Sequence, residues 1–158
     1  MSIIELPLPQ EIVASLPGAA NDGAGLVGVS ANDSPEKIVE ALNEFIGNPP
    51  KAGLFKRIDN WNERAMPLGA LWGQQLVRKF GWEWALVDFE GDRYVGAFDR
   101  QRSMGVLPFD YVFETLEQRE TPTILLGFNM IAEGALPKFE GRSYTNIMEG
   151  IQHIVEPE

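Results

Sequence analysis

The chain has no cysteine and a single histidine, His153, close to its C-terminus. Disulfides, thiolate catalysis and cysteine-ligated zinc or iron–sulfur sites are therefore excluded. A terminal segment would hold a catalytic base poorly, so a Ser–His–Asp site is not expected. A metal site would need carboxylates alone, and we predict none. No Lys-Ser or Lys-Thr follows the glycine-rich residues 18–25, so we predict no phosphate-binding loop and no cofactor.

Basic residues are also scarce, with 13 Lys and Arg against 23 Asp and Glu and a net charge of −10. This charge would repel nucleic acid and an anionic membrane surface, so neither is an expected partner. A basic protein is the partner that such acidity favours. The N-terminus lacks the features of a signal peptide, and no window approaches the length of an apolar membrane span. We therefore expect a cytoplasmic protein whose oligomeric state the sequence does not indicate.

The length and composition predict a single folded domain. The chain has 158 residues, of which 44% are hydrophobic, as in an ordinary globular core. Residues 1–34 are rich in Pro, Gly, Ala and Asn, which predicts a loop-rich N-terminal extension with at most one short helix near residues 9–15. Residues 35–158 are expected to form one α+β domain.

Capping residues mark the expected helices. Ser34 before Pro35 predicts a helix that runs to Gly47. A second helix is expected from Pro67 to the residue before Gly81, with a neighbouring element close to its two glycines, 69 and 73. A third begins at Pro108. Residues 122–133 are apolar on nearly all sides and are either a buried helix, which the flanking residues favour, or a central strand. A last helix is expected within residues 144–155.

The pattern changes from helix to strand at Trp82. Residues 82–90 and 93–100 predict an antiparallel hairpin around a type II′ turn at Gly91-Asp92, with Glu83 opposite Arg100. A third strand is expected near residues 103–107. The predicted fold is thus α+β, with a small antiparallel sheet packed against several helices. The helical spacings predict a core that contains Leu42, Phe45, Leu71, Trp72, Leu76, Phe80, Phe113 and Leu116.

Five residues form the candidate ligand site: Trp72, Gln75, Trp82, Glu83 and Trp84. Glu83 shares a strand face with apolar residues, so its pKa could be raised as in a glycosidase-like acid. Three tryptophans close in sequence could form one aromatic cluster that stacks on a ligand. The alternative interpretation is an ion-paired Glu83 beside tryptophans that fill the core, which is the commoner arrangement.

A second candidate lies in a polar segment further upstream. Trp61 stands between Asn60 and Asn62, where a loop is expected before the second helix. An exposed tryptophan there would be a natural partner-binding anchor, whereas burial against the helix is the alternative.

Residues 71–77 and 80–84 resemble a family of small bacterial proteins of unknown function, in which a G-x-x-L-V helix leads into a G-W-x-W strand. The similarity continues at Pro108-Phe109 and at Asn129-Met130-Ile131, and so covers about residues 67–131. The resemblance implies a bacterial source and an accessory or partner-binding role, with no activity to transfer.

Two hypotheses for the function follow. The first is a non-catalytic bacterial binding or accessory module, of the immunity-protein type, that engages a basic protein partner. The second is a carboxylate-dependent enzyme or a sugar-binding protein that uses Glu83 and the tryptophans. An open cleft with a second carboxylate about 5–10 Å from Glu83 would favour the enzyme. A closed ion pair at Glu83 would favour the binding module.

Overall fold

The computed structural model describes residues 3–48 and 61–155, with side chains described from residue 64 in the second range and up to residue 151. Within these ranges the chain forms six helices and an open five-stranded sheet. The elements are β1 Ile3–Leu6, α1 Gln10–Val27, α2 Pro35–Gly47, α3 Trp61–Phe80, β2 Glu83–Phe89, β3 Asp92–Phe98, β4 Met104–Val106, α4 Pro108–Gln118, α5 Ile124–Glu133, β5 Thr145–Asn146 and α6 Ile147–Val155. The α+β class is confirmed.

The strands lie side by side in chain order, from β1 to β5. The first four pair antiparallel, and β5 pairs parallel to β4, so the sheet is mixed rather than purely antiparallel. β4 lies where the third strand was expected. The two edge strands β1 and β5 were not expected, because each is too short to show a period-two pattern.

The main core lies between the helices and one face of the sheet. Of the eight predicted core residues, five are buried, namely Leu42, Leu71, Trp72, Leu76 and Leu116. Phe45, Phe80 and Phe113 are half-buried and pack against the same core. The helical phases read from the sequence are therefore confirmed.

Caps explain where several helices begin and end. The Ser34 side chain accepts a hydrogen bond from the Lys37 amide at 3.2 Å, with Pro35 in the first turn, as expected. Segment 124–133 is a helix rather than a strand, and Gly134 ends it in the left-handed conformation. The last helix begins at Ile147, three residues later than the start of the predicted range.

The predicted loop at residues 18–25 is wrong, since these residues belong to the long helix α1. The buried residues of α1 are Leu16, Ala20, Gly23 and Ala24, which share one helical face. Gly23 lies so close to the Pro67 carbonyl of α3 that a β-carbon would collide with it. Small residues thus serve close helix packing here, an effect that outweighs their loop composition.

Helix α3 also starts earlier than predicted, at Trp61, with Pro67 inside it. Ala65 and Leu68, on either side of Pro67, are buried, so packing continues across the proline. The predicted close approach at the α3 glycines is confirmed. A β-carbon at Gly69 would lie 2.7 Å from the Phe109 ring, and one at Gly73 would collide with the Trp84 ring.

The predicted hairpin is present, but its register is wrong by two residues. Phe89 faces Asp92, and Glu83 faces Phe98 rather than Arg100. Glu90 and Gly91 form the turn with φ values of 52° and 96°, which is the type I′ rather than the type II′ geometry. The Asp88 carboxylate accepts a hydrogen bond from the Gly91 amide at 3.0 Å, which stabilises this turn.

Candidate functional site

None of the cavities lined by described residues brings the five predicted ligand-site residues together. Trp72 is 2% exposed, and the centroid of its ring lies 5.1 Å from that of the Tyr111 ring. Gln75 is fully buried on the same helix. Its amide nitrogen donates to the Leu71 carbonyl at 2.9 Å, and its oxygen accepts from Arg78 at 2.6 Å. Arg78 in turn donates to the carbonyl of Asp33, so Gln75 joins α3 to the α1–α2 connection.

The other two tryptophans of the predicted cluster have separate aromatic neighbours. Trp82 is buried, with its ring 6.2 Å from that of Phe80. Trp84 is half-buried between Gly73 and Phe109, and it stacks on the Phe109 ring at 5.7 Å. The tryptophans therefore fill the interface between the sheet and the helices, as the core interpretation expected.

Glu83 is an exposed carboxylate in an ion pair. It accepts a hydrogen bond from Arg102 at 2.8 Å, and the partner is not the expected Arg100. Arg102 also donates to both oxygens of Glu5, at 2.8 and 3.2 Å. Tyr144 donates to Glu5 at 2.9 Å. The register explains the change of partner, since Glu5 and Glu83 lie on one face of the sheet and Arg102 reaches both.

Trp61 is the first residue of α3 and not part of a loop. The partner-binding prediction for Trp61 concerns a side chain outside the described residues.

A groove that the sequence did not indicate crosses the sheet face opposite the main core. It consists of two adjoining cavities of about 360 Å³ and 320 Å³, which share Tyr94, Leu107, Asn146 and Glu149. We call the two cavities together the sheet-face groove. Its apolar end is lined mainly by Ile3, Val87, Phe89, Phe98 and Tyr144. Its acidic end contains Asp110, Glu114, Glu120 and the shared Glu149.

The sheet itself shapes the floor of the apolar end. The Phe98 ring lies flat over two glycines on neighbouring strands, Gly96 and Gly105, where a β-carbon would clash with it. The Phe98 and Tyr144 rings meet edge to face, with their centroids 5.4 Å apart. Ala85, Val87 and Phe98 are buried in a small cluster here, separate from the main core. The absence of side chains at Gly96 and Gly105 thus lets the Phe98 ring pack against the sheet, where it is buried.

The electrostatics of the acidic end are one-sided. No Lys or Arg is among the described residues that line either cavity. Burial raises the pKa of the Asp110 carboxyl above its ordinary value. Burial also raises the pKa of the Tyr94 hydroxyl, and the negative charges of Asp92, Asp110 and Glu114 raise it further. This end of the groove therefore favours a positive charge.

One sequence signal could have indicated this groove. Residues 84–87 and 94–98 are apolar on both faces of their strands, a pattern typical of a sheet that is covered on both sides. The helices pack their core against only one of these faces. The remaining apolar face bears the groove.

The described residues contain no group of three or more His, Cys, Asp or Glu side chains that could hold a metal ion. No helix within the same part of the chain is long and apolar enough to cross a membrane.

No protein-family model and no curated protein matches this chain. Its fold is similar to that of a crystal structure from Bacteroides thetaiotaomicron VPI-5482, with a TM-score of 0.58 and 11% sequence identity. The match covers 85% of this chain and 48% of that chain, so the present chain spans about half the length of the similar protein. At this identity the likeness concerns the fold alone.

Proposed function

We propose that this chain is a non-catalytic, cytoplasmic binding module that engages a basic protein partner through the sheet-face groove. The observation that carries the proposal is the groove itself, in which an apolar floor adjoins carboxylates and no basic residue lines the described walls. The floor residues Val87 and Phe98 are buried, and half-buried walls such as Ile3, Phe89 and Leu107 supply the accessible apolar surface. An apolar recess bordered by polar groups is typical of a protein–protein contact.

In the part of the chain that the structure describes, three carboxylates of the groove lack an ion pair, unlike three acidic residues of β1 and β2. Glu5, Glu83 and Asp88 form ion pairs with arginines. Asp110, Glu114 and Glu149 have no ion pair within the described residues. A cationic partner would supply the missing opposite charge, and the net charge of −10 would accelerate its approach. An immunity-type role, in which an acidic protein captures a basic one, agrees with this arrangement.

The enzyme or sugar-binding hypothesis stays a prediction that has less support. Glu83 accepts a hydrogen bond from Arg102 and lies outside the sheet-face groove. Of the three tryptophans proposed to stack on a sugar, Trp72 and Trp82 are 2% and 4% exposed. A sugar would need exposed ring faces for stacking.

The test is affinity capture from cells that express the protein, followed by a binding titration with the purified partner. The triple variant Asp110→Asn, Glu114→Gln and Glu149→Gln removes three negative charges from the groove. We expect a captured basic protein to bind this variant at least tenfold more weakly than the wild type, because three charges that would pair with the partner are lost together and Asp110 among them is half-buried.

A matched control removes the same charge elsewhere. The variant Glu117→Gln, Glu133→Gln and Glu140→Gln changes three exposed carboxylates that do not line the groove. We expect it to bind almost as tightly as the wild type. An acidic partner would contradict the proposal. So would a partner that binds equally well to both triple variants.

A further inference from the structure

Resting on this proposed function, we propose that the sheet-face groove binds an extended segment of the basic partner in which an apolar residue and a Lys or Arg are two positions apart. The apolar side chain occupies the cavity lined by Ile3, Phe89 and Tyr144. The cationic side chain occupies the cavity beside Asp110, Glu114 and Glu149.

Among the described residues, the apolar end has unpaired polar side chains only at its boundary with the acidic end, where Asn146 and Glu149 line both cavities. The Tyr144 hydroxyl donates to Glu5 at 2.9 Å, and the Ser143 hydroxyl donates to the Ser103 carbonyl at 2.8 Å. A polar ligand placed beside these hydroxyls would lose its hydrogen bonds to water, and groups that already have partners would not replace them. Its binding would therefore cost free energy. An aliphatic or aromatic side chain meets no such cost and gains the burial of its apolar surface.

The acidic end holds three carboxylates without an ion pair in the described chain. Asp110 lies in the first turn of α4, Glu114 follows one turn later on the same side of the helix, and Glu149 lies in the first turn of α6. They line one cavity of about 320 Å³. The Tyr94 hydroxyl, which has no hydrogen-bond partner within the described residues, lines it as well. An ammonium or guanidinium group matches these acceptors in charge and hydrogen bonding.

Asn146 stands at the boundary, since it lines both cavities. Its side-chain oxygen accepts a hydrogen bond from the Met148 amide at 3.2 Å, so the orientation of the side-chain amide is fixed at the start of α6. Its Nδ2 has no partner in the described part of the chain. A free donor at this boundary suits the backbone carbonyl of a bound segment, which would otherwise lose a hydrogen bond to water.

The spacing of two residues follows from strand geometry. In an extended segment, neighbouring side chains point to opposite sides, and the side chains of residues i and i+2 lie on the same side about 7 Å apart. Because the two cavities share four lining residues, they adjoin one another. Residues i and i+2 of one segment can therefore fill them together, whereas residues i and i+1 cannot.

The experiment is an NMR titration of the full chain with three blocked peptides, of which the first two have the same composition in a different order. The first has the order Leu-Ser-Lys within a Gly-Ser frame, the second has Leu-Lys-Ser, and the third replaces the Lys of the first by Glu. We expect the first to bind about tenfold more tightly than the second, with shifts centred on Tyr94, Leu107 and Asn146, and the third not to bind.

Two variants locate the site of binding. Asp110→Asn with Glu149→Gln should weaken the Leu-Ser-Lys peptide about tenfold, and Glu117→Gln, an exposed residue of α4 outside the groove, should leave it unchanged. Equal binding of both Lys peptides would overturn the spacing while leaving an acidic docking surface in place. Absence of binding by every peptide, or shifts elsewhere, would overturn this inference, whereas the proposed function would fail only if partner capture does not depend on the groove.

Discussion

The two faces of the sheet are both apolar, yet they are stabilised in different ways. The covered face, which carries Trp84, Ala97 and Val106, packs against the helices as part of the main core. The groove face carries Val87 and Phe98 in a cluster of its own. On this second face polar contacts join the strands, since Arg102 links Glu5 of β1 to Glu83 of β2.

The difference shows how a sheet of alternating strands acquires a recognition surface. On the covered face the described residues pack closely, since Gly73 admits the Trp84 ring against the α3 backbone. On the groove face Gly96 and Gly105 admit the Phe98 ring against the sheet, and the two cavities lie on this face. The same residue type therefore admits an aromatic ring on each face, and the two faces differ in the cavities that the groove face bears.

The largest expected effect is on the covered side. Replacing Trp72 by Ala should cost about 3–5 kcal/mol of unfolding free energy, since a fully buried ring is lost. Chemical denaturation monitored by circular dichroism measures this. Trp72→Phe should cost clearly less, because it keeps an aromatic contact with Tyr111 and removes an Nε1 that has no hydrogen-bond partner. A folded Trp72→Ala protein with an almost unchanged melting temperature would show that the covered face is not the stabilising one.

On the groove face the strongest effect is expected for Arg102→Ala, about 2 kcal/mol at pH 7, because Glu5 and Glu83 lose their shared charged donor. The hydrogen bonds from Arg102 lower the pKa of Glu5 below its ordinary value of 4.5. A lowered carboxyl pKa stabilises the fold above that value, and the stabilisation is lost as the pH falls through the folded-state pKa.

The free energy difference between wild type and Arg102→Ala should therefore shrink below about pH 4.5, which denaturation at several pH values can follow. Trp72→Phe is the control, because its effect on the covered face should not change with pH. A constant difference for Arg102→Ala down to pH 3 would contradict the electrostatic account of the groove face.

A smaller effect is expected from a single methyl group on the covered face. Gly73→Ala should cost about 1 kcal/mol, since the collision with Trp84 exceeds the gain in helix propensity. Gly18→Ala is the matched control, because nothing lies within 4 Å of the added β-carbon on α1. This control should raise the melting temperature, and equal shifts for both variants would mean that Trp84 is loosely held.

The smallest effect on stability should have the opposite sign. Burial raises the pKa of Asp110, so the ionised carboxylate is less favourable in the folded than in the unfolded chain. Asp110→Asn should therefore stabilise the protein at pH 7, by less than about 1 kcal/mol, and the gain should vanish below the ordinary carboxyl pKa. Thermal melts at pH 7 and pH 3 measure this. A destabilised variant at pH 7 would show that Asp110 serves the fold rather than binding.

Individual elements show where sequence reasoning succeeded. The helix from Pro35 was predicted from its cap, and the packing around Gly69 and Gly73 from the rarity of glycine in a helix. Helix α1 was expected only as a short helix near residues 9–15, because the composition of residues 18–25 indicated a loop, although the spacing of Leu16, Ala20 and Ala24 is helical. The turn at Glu90-Gly91 was missed because nothing in the sequence separates types I′ and II′ when a single glycine is available.

The sequence by itself determined the composition limits, the α+β class and the apolar stripes, because these depend on local propensity and periodicity. Only the tertiary structure decided that Arg102 is the partner of Glu83, and that Tyr94, Asp110 and Glu149, from β3, α4 and α6, meet in one groove. Contacts between distant segments depend on strand register and on which face of the sheet the helices cover. A shift of two residues leaves the alternation of faces unchanged but replaces every cross-strand partner.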